Sequence, residues 1–371
     1  MTTSLQMVGE ARTRSEKRER IVAALSGGVD SSVAAALLVG NGKEVIGVTL
    51  NLAGGASRCC SLADADDARR VAGQLGIRFY VANYSQRFRA EVIQPFADDY
   101  LSGRTPIPCV ACNSRFKFDY LLERARVFGA DRVATGHYAR VDVAPDTGLL
   151  RLRRAIDSQK DQTYFLFELG QDQLAAIEFP LGELEKEVVR DRARKLGLPN
   201  ADKPESQEIC FVPDGDYAAA VERIRPDALP GDGEIVDRDG RVLGQHPGIH
   251  RFTVGQRRGL GLASKRPLFV ESIDAARNRV VVGAAGDLEA SGAILERVSW
   301  ISGEPPKRAT RATVRVRYGH SGAPAWIEPR SGRAAVVHFE QPVRAVAPGQ
   351  AAVFYDGDVV LGGGWIRESL Q

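Results

Sequence analysis

From Ile21 to Thr135, short apolar runs alternate with longer stretches that repeat apolar residues at helical spacing. Continuous apolar runs are typical of strands buried on both faces, and strands that alternate with helices form parallel sheets. The pattern predicts strands at Ile21–Leu25, Glu44–Leu50, Arg78–Ala82 and Asp131–Thr135, and helices at Ser32–Val39, Ala63–Leu75, Gln86–Leu101 and Asn113–Phe128. We therefore expect a doubly wound α/β domain around a parallel sheet.

The second half of the chain has a different pattern. Glu183–Leu196 predicts one more charged helix, which Gly197 and Pro199 would end. After a short helical stretch at Asp216–Arg223, short β-like runs follow one another between Pro-Gly and Asp-Gly turns. A chain of 371 residues is too long for a single core. We expect a disordered leader at 1–19, the α/β domain at 20–213, a small central domain at 214–286 and a C-terminal β-barrel at 287–371.

Composition and cysteine usage point to a cytoplasmic protein. The longest apolar runs fall far short of the ~20 residues that a membrane span needs, so we expect no membrane partner. The leader lacks the apolar core of a signal peptide. Five cysteines are an odd number, which argues against a secreted disulfide framework. The adjacent pair Cys59–Cys60 is interpreted as packing or incidental thiols.

Two stretches of the second half carry basic residues and no acidic ones. Arg241–Val270 contains six Lys or Arg residues, and Lys307–Tyr318 contains five. Either a solvated basic face or a docking surface for a polyanion would produce this distribution. Within the second stretch, Arg311, Arg315 and Arg317 alternate with apolar residues, which places the arginines on one face of a strand.

The segment Ser26–Ser32, of sequence SGGVDSS, lies directly between the first strand and the first helix. Glycines there let the backbone approach a polyphosphate, and a helix N-terminus offers N–H groups and a positive dipole end. Serine hydroxyls add donors, and Asp30 is a candidate Mg²⁺ ligand. The lysine of a Walker loop and the GxGxxG of a dinucleotide fingerprint are both missing. An ordinary strand-to-helix turn is the alternative.

This segment resembles the PP-loop of ATP pyrophosphatases, which cleave ATP between the α- and β-phosphates and adenylate a substrate. The resemblance implies an adenine nucleotide α-hydrolase-like fold and bound ATP with Mg²⁺. It also implies an ATP site made of Ala24, Leu25, Ser26, Gly27, Gly28, Val29, Asp30, Ser31, Leu50 and Gly136.

Two cysteines are placed where reactive groups are expected. Cys112 precedes the predicted helix at Asn113, and a helix dipole there would lower the thiol pKa and favour the thiolate. Pro106 and Pro108 stiffen the loop in front of it. Far along the chain, Ser206–Phe211 (SQEICF) supplies Cys210.

Together with the PP-loop, these cysteine segments resemble the bacterial tRNA-specific 2-thiouridylases. Further similar stretches are Ala134–Tyr138, Asp157–Leu166, Phe179–Glu187 and Gly255–Leu262. The resemblance implies that ATP adenylates O2 of the wobble uridine of a tRNA. It implies that Cys210 carries sulfur as a persulfide received from a cysteine desulfurase or a sulfur-relay protein. Cys112 would attack or release that sulfur, leaving a Cys112–Cys210 disulfide for a reductant to reopen.

Cys109 opens a second interpretation, because some members of this family carry an aspartate at its position. Cys109, Cys112 and Cys210 would be suited to hold three irons of a [4Fe–4S] cluster, with one iron open to bind sulfide. A structural Zn²⁺ is a third alternative, although it usually requires four ligands.

The resemblance also implies a set of tRNA contacts: Ile107, Pro108, Cys109, His137, Lys160, Asp161, Gln162, Arg317, Tyr318 and Gln350. The residues themselves allow simpler interpretations. A lone His137 is often structural, and Asp161 suits a helix cap. Two rival functions remain at this point. A small-molecule PP-loop ligase would leave the cysteines without a task, and a non-catalytic RNA-binding protein would not need the intact loop.

Overall fold

The computed structural model describes residues 18–52, 62–205, 209–212 and 214–371. The predicted leader, except for its last two residues, and the pair Cys59–Cys60 lie outside these ranges. No helix in the described ranges has the length and apolarity needed to cross a membrane.

The first half of the chain is built on a five-stranded sheet in which all neighbouring strands are parallel. The strands of this half are β1 (Arg20–Ala24), β2 (Glu44–Asn51), β3 (Arg78–Asn83), β4 (Arg132–Ala134), β5 (Ala139–Val143), β6 (Leu150–Arg154) and β7 (Ile177–Glu178). The sheet order is β3-β2-β1-β4-β7. The predicted parallel α/β domain is therefore confirmed, and its four predicted strands appear within a few residues of their expected bounds.

Nine α-helices accompany the strands in the described part of the chain. They are α1 (Val29–Gly40), α2 (Leu62–Leu75), α3 (Ser85–Phe88), α4 (Gln94–Leu101), α5 (Pro108–Ala111), α6 (Leu121–Val127), α7 (Gln171–Ala175), α8 (Lys186–Lys195) and α9 (Tyr217–Ile224). Two π-helical segments, Arg89–Ile93 and Cys112–Tyr120, join α3 to α4 and α5 to α6. Short 3₁₀ turns occur at Thr163–Phe165, Ile249–Arg251 and Ala285–Leu288.

Helices cover both faces of the parallel sheet. On β1, Val22 packs in one apolar cluster with Phe96 of α4 and Leu121 of α6. Its neighbour Ile21 points to the opposite face and packs with Ala35 of α1. Because successive side chains of a strand alternate between faces, a continuous apolar run serves both clusters. This is the doubly wound arrangement that the sequence predicts.

The second half of the chain forms two further sheets. The central sheet has the order β10-β11-β8-β9 and a separate apolar core. Its strands are β8 (Gly233–Val236), β9 (Val242–His246), β10 (Phe269–Asp274) and β11 (Arg279–Gly283). The last sheet comprises β12 (Glu289–Trp300), β13 (Thr310–Arg315), β14 (Ala323–Arg330), β15 (Ala334–Arg344), β16 (Ala351–Asp356) and β17 (Val359–Leu370). Pairing of β12 with β17 closes these six antiparallel strands, so the predicted C-terminal β-barrel is confirmed.

The barrel and the first domain share strands and core. The hairpin β5–β6 of the first domain pairs with β17 of the barrel, through Val360 and Leu152 among others. Tyr355 and Trp365 of the barrel pack in the same apolar cluster as Val22 of the parallel sheet. A side-chain network reinforces the joint, because Asp358 accepts hydrogen bonds from Arg140 and Arg153. Sequence patterns did not predict this joint.

Candidate active site

Gly27 and Gly28 form the turn between β1 and α1. Gly27 has φ +76°, and a Cβ at this position would lie 2.3 Å from the carbonyl oxygen of Asp64, so no side chain fits. Gly28 is the N-cap of α1 and supplies no capping side chain. The first turn of α1 therefore presents backbone N–H groups and the positive end of its dipole, an arrangement that binds phosphate in other nucleotide loops.

Serine hydroxyls hold this loop in shape. The amide of Ser26 donates to Oγ of Ser31 over 3.1 Å, and Oγ of Ser32 donates to the carbonyl of Gly28 over 2.9 Å. The donors that the sequence predicts for a nucleotide are thus used within the loop here, and their contact with ATP remains a prediction. The predicted adenine contact, Leu50, is buried at the end of β2 in the same cluster as Val22.

Gly136 follows β4 and lies against the start of α1. A Cβ on Gly136 would stand 2.6 Å from the amide nitrogen of Ser31 and 2.8 Å from the carbonyl carbon of Asp30. Both are backbone atoms of a helix and cannot turn aside as a flexible side chain would. The structure therefore places Gly136 in direct contact with the loop and gives a steric reason for the glycine.

Asp30 is held by two residues that the sequence analysis did not predict as site residues. Nζ of Lys186 lies 2.7 and 2.8 Å from the two carboxylate oxygens, and the hydroxyl of Tyr138 donates to one of them over 2.9 Å. Burial and the negative charge of Asp30 raise the pKa of Tyr138, so its phenol keeps its proton and donates. A magnesium ion on Asp30 would stand beside the ammonium of Lys186 and would compete with it for the carboxylate.

Lys186 also connects Asp30 to Glu205. Its Nζ lies 2.9 Å from one carboxylate oxygen of Glu205, and Nζ of Lys160 lies 2.7 Å from the other. Burial alone would raise the pKa of Glu205, but hydrogen bonds from Lys160 and Lys186 outweigh it and hold the pKa at about 2. The buried ammonium of Lys186 is thus neutralised by two carboxylates and stands next to the first turn of α1.

Asn200 and Lys203 support the loop from the other side. The amide of Asn200 donates to the carbonyl of Gly27 over 3.0 Å and to Oγ of Ser32 over 2.9 Å. Lys203 bridges Asp64 and Asp67 of α2 at 2.7 and 2.6 Å. No local sequence pattern predicts that Asn200 or Lys203 belongs to the site. Both residues contact the loop only because the chain folds back onto it after α8.

The helix that carries Cys109 and Cys112, α5 with the π-helical segment after it, is called the cysteine helix here. It begins earlier than the sequence predicts. Its first residue is Pro108, at the position where the missing N–H of a proline costs nothing, and the N–H of Cys112 already donates to the carbonyl of Pro108. Cys112 therefore lies in the second turn, and the prediction that it stands at the helix N-terminus is wrong. The dipole effect, which fades within the first turn, applies to Cys109 instead.

Cys112 and Cys210 pack against one apolar cluster although they are far apart in sequence. Leu50, the predicted adenine contact, belongs to the same cluster. Cys109, Cys112 and Cys210 are all partly exposed. Among the described residues, no three or more His, Cys, Asp or Glu side chains are arranged to hold a metal ion. The arrangement therefore does not fit the predicted iron–sulfur or zinc ligand set.

His137 and Asp161 are buried. Lys117 donates to Nε2 of His137 over 3.4 Å, and Nδ1 of the same histidine ring lies 2.8 Å from the hydroxyl of Thr135. Burial and the charge of Lys117 lower the pKa of His137 well below its usual value, so the ring is neutral. Asp161 accepts from the hydroxyl of Thr163 and pairs with Arg315 of the barrel. Their predicted contact with tRNA remains a prediction, and both have structural partners here.

The other predicted tRNA contacts lie along the joint between the first domain and the barrel. Pro108 is buried, whereas Ile107, Lys160 and Gln162 are partly exposed. Gln162 exchanges two hydrogen bonds with the backbone of Tyr138. Gln350 donates from its amide to the carbonyl of Thr105 over 3.0 Å.

On β13 the predicted alternation is confirmed, but the arginines are not equivalent. Arg311 is paired with Glu340, and Arg315 reaches inward to Asp161. Arg317, just beyond the strand, is exposed, and the neighbouring ring of Tyr318 lies 4.6 Å from that of Phe165. Arg317 and Tyr318 thus offer a cation and a partly exposed aromatic face beside the joint.

Comparisons with known proteins agree with this architecture. The family described as tRNA methyl transferase HUP domain matches residues 19–214. The tRNA methyl transferase PRC-barrel domain matches 221–284, and the aminomethyltransferase beta-barrel domain matches 290–366. A tRNA-specific 2-thiouridylase MnmA from Solibacter usitatus is 52% identical over 366 residues, which cover 94% of this chain and 99% of that protein. The chain belongs to the tRNA-specific 2-thiouridylase family.

Two further relatives support the membership. The 2-thiouridylases MnmA of Geotalea uraniireducens and Geobacter metallireducens are each 50% identical to the chain. The matches cover 96% and 95% of this chain and 97% and 98% of those proteins. Membership in the 2-thiouridylase family confirms the prediction of an enzyme, and the alternative of a non-catalytic RNA-binding protein is excluded.

Proposed function

We propose that this 2-thiouridylase replaces O2 of the wobble uridine of a tRNA by sulfur, in a reaction that consumes ATP. The observation that carries the proposal is the similarity to curated 2-thiouridylases at about half of all positions and over nearly the whole chain. The loop geometry at Gly27 and Gly28 supports it, because the first turn of α1 is shaped for a polyphosphate.

The first step is adenylation. O2 of the uracil attacks the α-phosphorus of ATP, the bond from that phosphorus to the bridging oxygen of the β-phosphate breaks, and pyrophosphate leaves. ATP would bind along Ala24–Ser31, with Leu50 at the base and Gly136 behind the loop. Asp30 would hold Mg²⁺, and Lys186 would then turn its charge from Asp30 towards the phosphates. The step makes O2 part of a good leaving group, AMP.

The second step transfers sulfur. The terminal sulfur of a Cys210 persulfide attacks C2 of the activated uracil, and AMP leaves with the original oxygen. The thiolate of Cys112 then attacks the sulfur of Cys210, and the persulfide S–S bond breaks with its electron pair on the transferred sulfur. The products are 2-thiouridine and a Cys112–Cys210 disulfide, which an external dithiol reduces. The sulfur donor would be a cysteine desulfurase or a relay protein.

The persulfide route is favoured over the cluster route by the arrangement of the cysteines. Cys112 and Cys210 pack against the same apolar cluster, although nearly a hundred residues separate them in the sequence. The three cysteines do not form a metal-ligand set among the described residues. No step of the proposed reaction therefore passes through a cluster, and Cys109 has no covalent role in it.

The test is a thiolation assay on an unmodified tRNA transcript with ATP, Mg²⁺ and a persulfide donor, using protein purified without oxygen. Cys112→Ser and Cys210→Ser each abolish thiolation while ATP binding stays at the wild-type level. Cys109→Asp is the matched control, because the family resemblance implies aspartate at this position in some members, and we expect it to retain activity. Substantial thiolation by Cys112→Ser or Cys210→Ser would refute the two-cysteine route.

Iron and labile-sulfide assays on the same samples separate the remaining alternatives. About four iron atoms per chain, lost together with activity in Cys109→Asp, would establish the cluster route instead. ATP–pyrophosphate exchange that depends on a small carboxylic acid and not on tRNA would replace the proposal by a small-molecule ligase.

A further inference from the structure

The loop between α4 and α5 contacts both the central sheet and the C-terminal barrel. It leads directly into the helix that carries Cys109 and Cys112. Gly103 of this loop has φ +73°, and a Cβ there would lie 2.9 Å from Cγ2 of Ile273 on β10. Two residues later, Thr105 contacts the barrel. Both later domains therefore contact the segment that precedes the cysteine helix.

The barrel binds Thr105 through both of its backbone polar groups. The amide of Thr105 donates to the carbonyl of Pro348 over 2.8 Å, and its carbonyl accepts from the side-chain amide of Gln350 over 3.0 Å. The barrel segment is itself fixed to β17, because Gly349 donates to the carbonyl of Ile366 and Ile366 donates to that of Gln350. Thr105 is thus tied to the turn between β15 and β16, which is itself hydrogen-bonded to β17.

Gly349 brings the two backbones into contact. Its φ is +88°, and a Cβ would lie 2.9 Å from Cβ of Arg104, 2.9 Å from the amide nitrogen of Thr105 and 3.0 Å from its carbonyl oxygen. Each contact is with backbone or with the fixed first atom of a side chain. Arg104 adds a second tie, since its guanidinium pairs with Glu296 of β12 at 2.8 Å.

The segment that joins Thr105 to the helix with Cys109 and Cys112 is short and stiff. Only Pro106 and Ile107 separate Thr105 from Pro108, the first residue of α5. Both prolines have φ fixed by their rings and both are buried. A displacement of Thr105 is therefore carried into the helix and not absorbed by the loop.

We propose that Gly349 and Gln350 are positioning residues for Cys112, and that tRNA bound to the barrel acts on the cysteine helix through Gln350. In the tRNA-free enzyme the barrel holds Thr105 and fixes the helix. A tRNA nucleotide that accepts a hydrogen bond from the Gln350 amide competes with the Thr105 carbonyl, loosens that hold and changes the exposure of Cys112. The coupling to tRNA rests on the function proposed above, whereas the positioning by Gly349 does not.

The experiment measures the rate at which iodoacetamide alkylates Cys112 in the reduced full-length protein, with the modified cysteine located by tandem mass spectrometry. Gly349→Ala is compared with Gly357→Ala. Gly357 lies on the same barrel and also has positive φ, +58°, but no atom lies within 4 Å of an added Cβ. Both glycines have positive φ, so alanine strains the backbone at either position, whereas only Gly349→Ala brings a Cβ against Arg104 and Thr105.

Without tRNA and ATP, Gly349→Ala raises the alkylation rate of Cys112 by about fivefold or more, the factor that one lost hydrogen bond of about 1 kcal/mol gives. Gly357→Ala stays at the wild-type rate. Gln350→Met keeps the length of the side chain and removes its donor, so it gives the same rise even where Gly349→Ala fails to fold.

Saturating unmodified tRNA transcript raises the wild-type rate of Cys112 alkylation towards that of Gln350→Met, and it leaves the rate of Gln350→Met unchanged. Equal rates in wild type, Gly349→Ala and Gln350→Met, with all three folded by circular dichroism, would overturn the positioning role. A tRNA effect that persists in Gln350→Met would overturn the coupling. Because the tRNA-free rates require no catalysis, a failure of the thiolation assay leaves the positioning result intact.

Discussion

The contact between Gly136 and the Ser26–Ser32 loop predicts that Gly136→Ala weakens ATP binding severely. The added Cβ would meet the amide nitrogen of Ser31 at 2.6 Å and the carbonyl carbon of Asp30 at 2.8 Å, both shorter than ordinary van der Waals contact. The loop has little freedom to retreat, because Asn200 and Lys186 hold it from two other sides.

The expected magnitude follows from the cost of overpacking. Forcing a methyl group into a filled site costs about 1 to 3 kcal/mol. In the ATP-bound state the loop must keep its shape, and about 1.4 kcal/mol corresponds to a tenfold change in affinity. We therefore expect the Kd for ATP to rise by about fivefold to more than a hundredfold, with a smaller loss of thermal stability.

Isothermal titration calorimetry with ATP measures the effect, and circular dichroism shows whether the variant is folded. Gly170→Ala is the matched control, since its φ is −98° and no atom lies within 4 Å of an added Cβ. A folded Gly136→Ala variant that binds ATP within about threefold of the wild-type Kd would show that the close approach of β4 to α1 is not needed for the nucleotide.

Three further predictions concern buried charges. Lys186→Met leaves Asp30 and Glu205 without their shared cation, so we expect pyrophosphate release to be lost. The free energy of unfolding should fall by about 1 to 3 kcal/mol. This is less than for a fully buried pair, because both carboxylates are partly exposed. The pKa of Glu205 is about 2 when folded against 4.5 for the ordinary group, so its stabilisation is complete above about pH 4.5 and is lost as the pH falls towards 2; urea unfolding between pH 6 and pH 3 measures this. Arg315→Ala leaves the buried Asp161 without a cation and lowers the free energy of unfolding by about 3 to 5 kcal/mol, measured by chemical denaturation.

Each of these predictions has a control. Lys186→Arg keeps the charge and should retain most of the stability. Glu187→Gln, at an exposed position next to Lys186, should leave the acid dependence unchanged, whereas Glu205→Gln should flatten it. Adding Asp161→Asn to Arg315→Ala removes the unpaired charge and should restore part of the lost stability. Equal stability of wild type and Arg315→Ala would show that Asp161 does not depend on the pair.

Local sequence patterns predict the elements of this protein well because local chemistry forms them. The apolar run at Ile21–Leu25 marks a strand, and the helical spacing at Ala63–Leu75 marks a helix, that the structure confirms within a few residues. The cysteine helix is the instructive failure. From the sequence Pro108 is expected to stiffen a loop, but a proline is also a good first residue of a helix, and Pro108 takes that position in the structure.

Only part of the candidate site can be predicted from the sequence, because several of its residues are brought in by tertiary contacts. The loop from Ser26 to Ser32 is continuous and visible in the sequence. The loop is contacted by three residues more than a hundred positions away in the sequence: Lys186, Asn200 and Lys203. No sequence pattern predicts these contacts. The pairing of β6 with β17 is non-local in the same way.

The shared strand pairing between β6 and β17 has a consequence for how the protein is made. β17 spans Val359–Leu370, yet its partner hairpin β5–β6 lies at Ala139–Arg154, in the first half of the chain. During synthesis the parallel-sheet domain therefore completes its core only after β16 and β17, which supply Tyr355 and Trp365, have left the ribosome. A premature stop anywhere in the barrel exposes the open edge of β6 and that apolar surface, so it produces an aggregating fragment and not a smaller working enzyme.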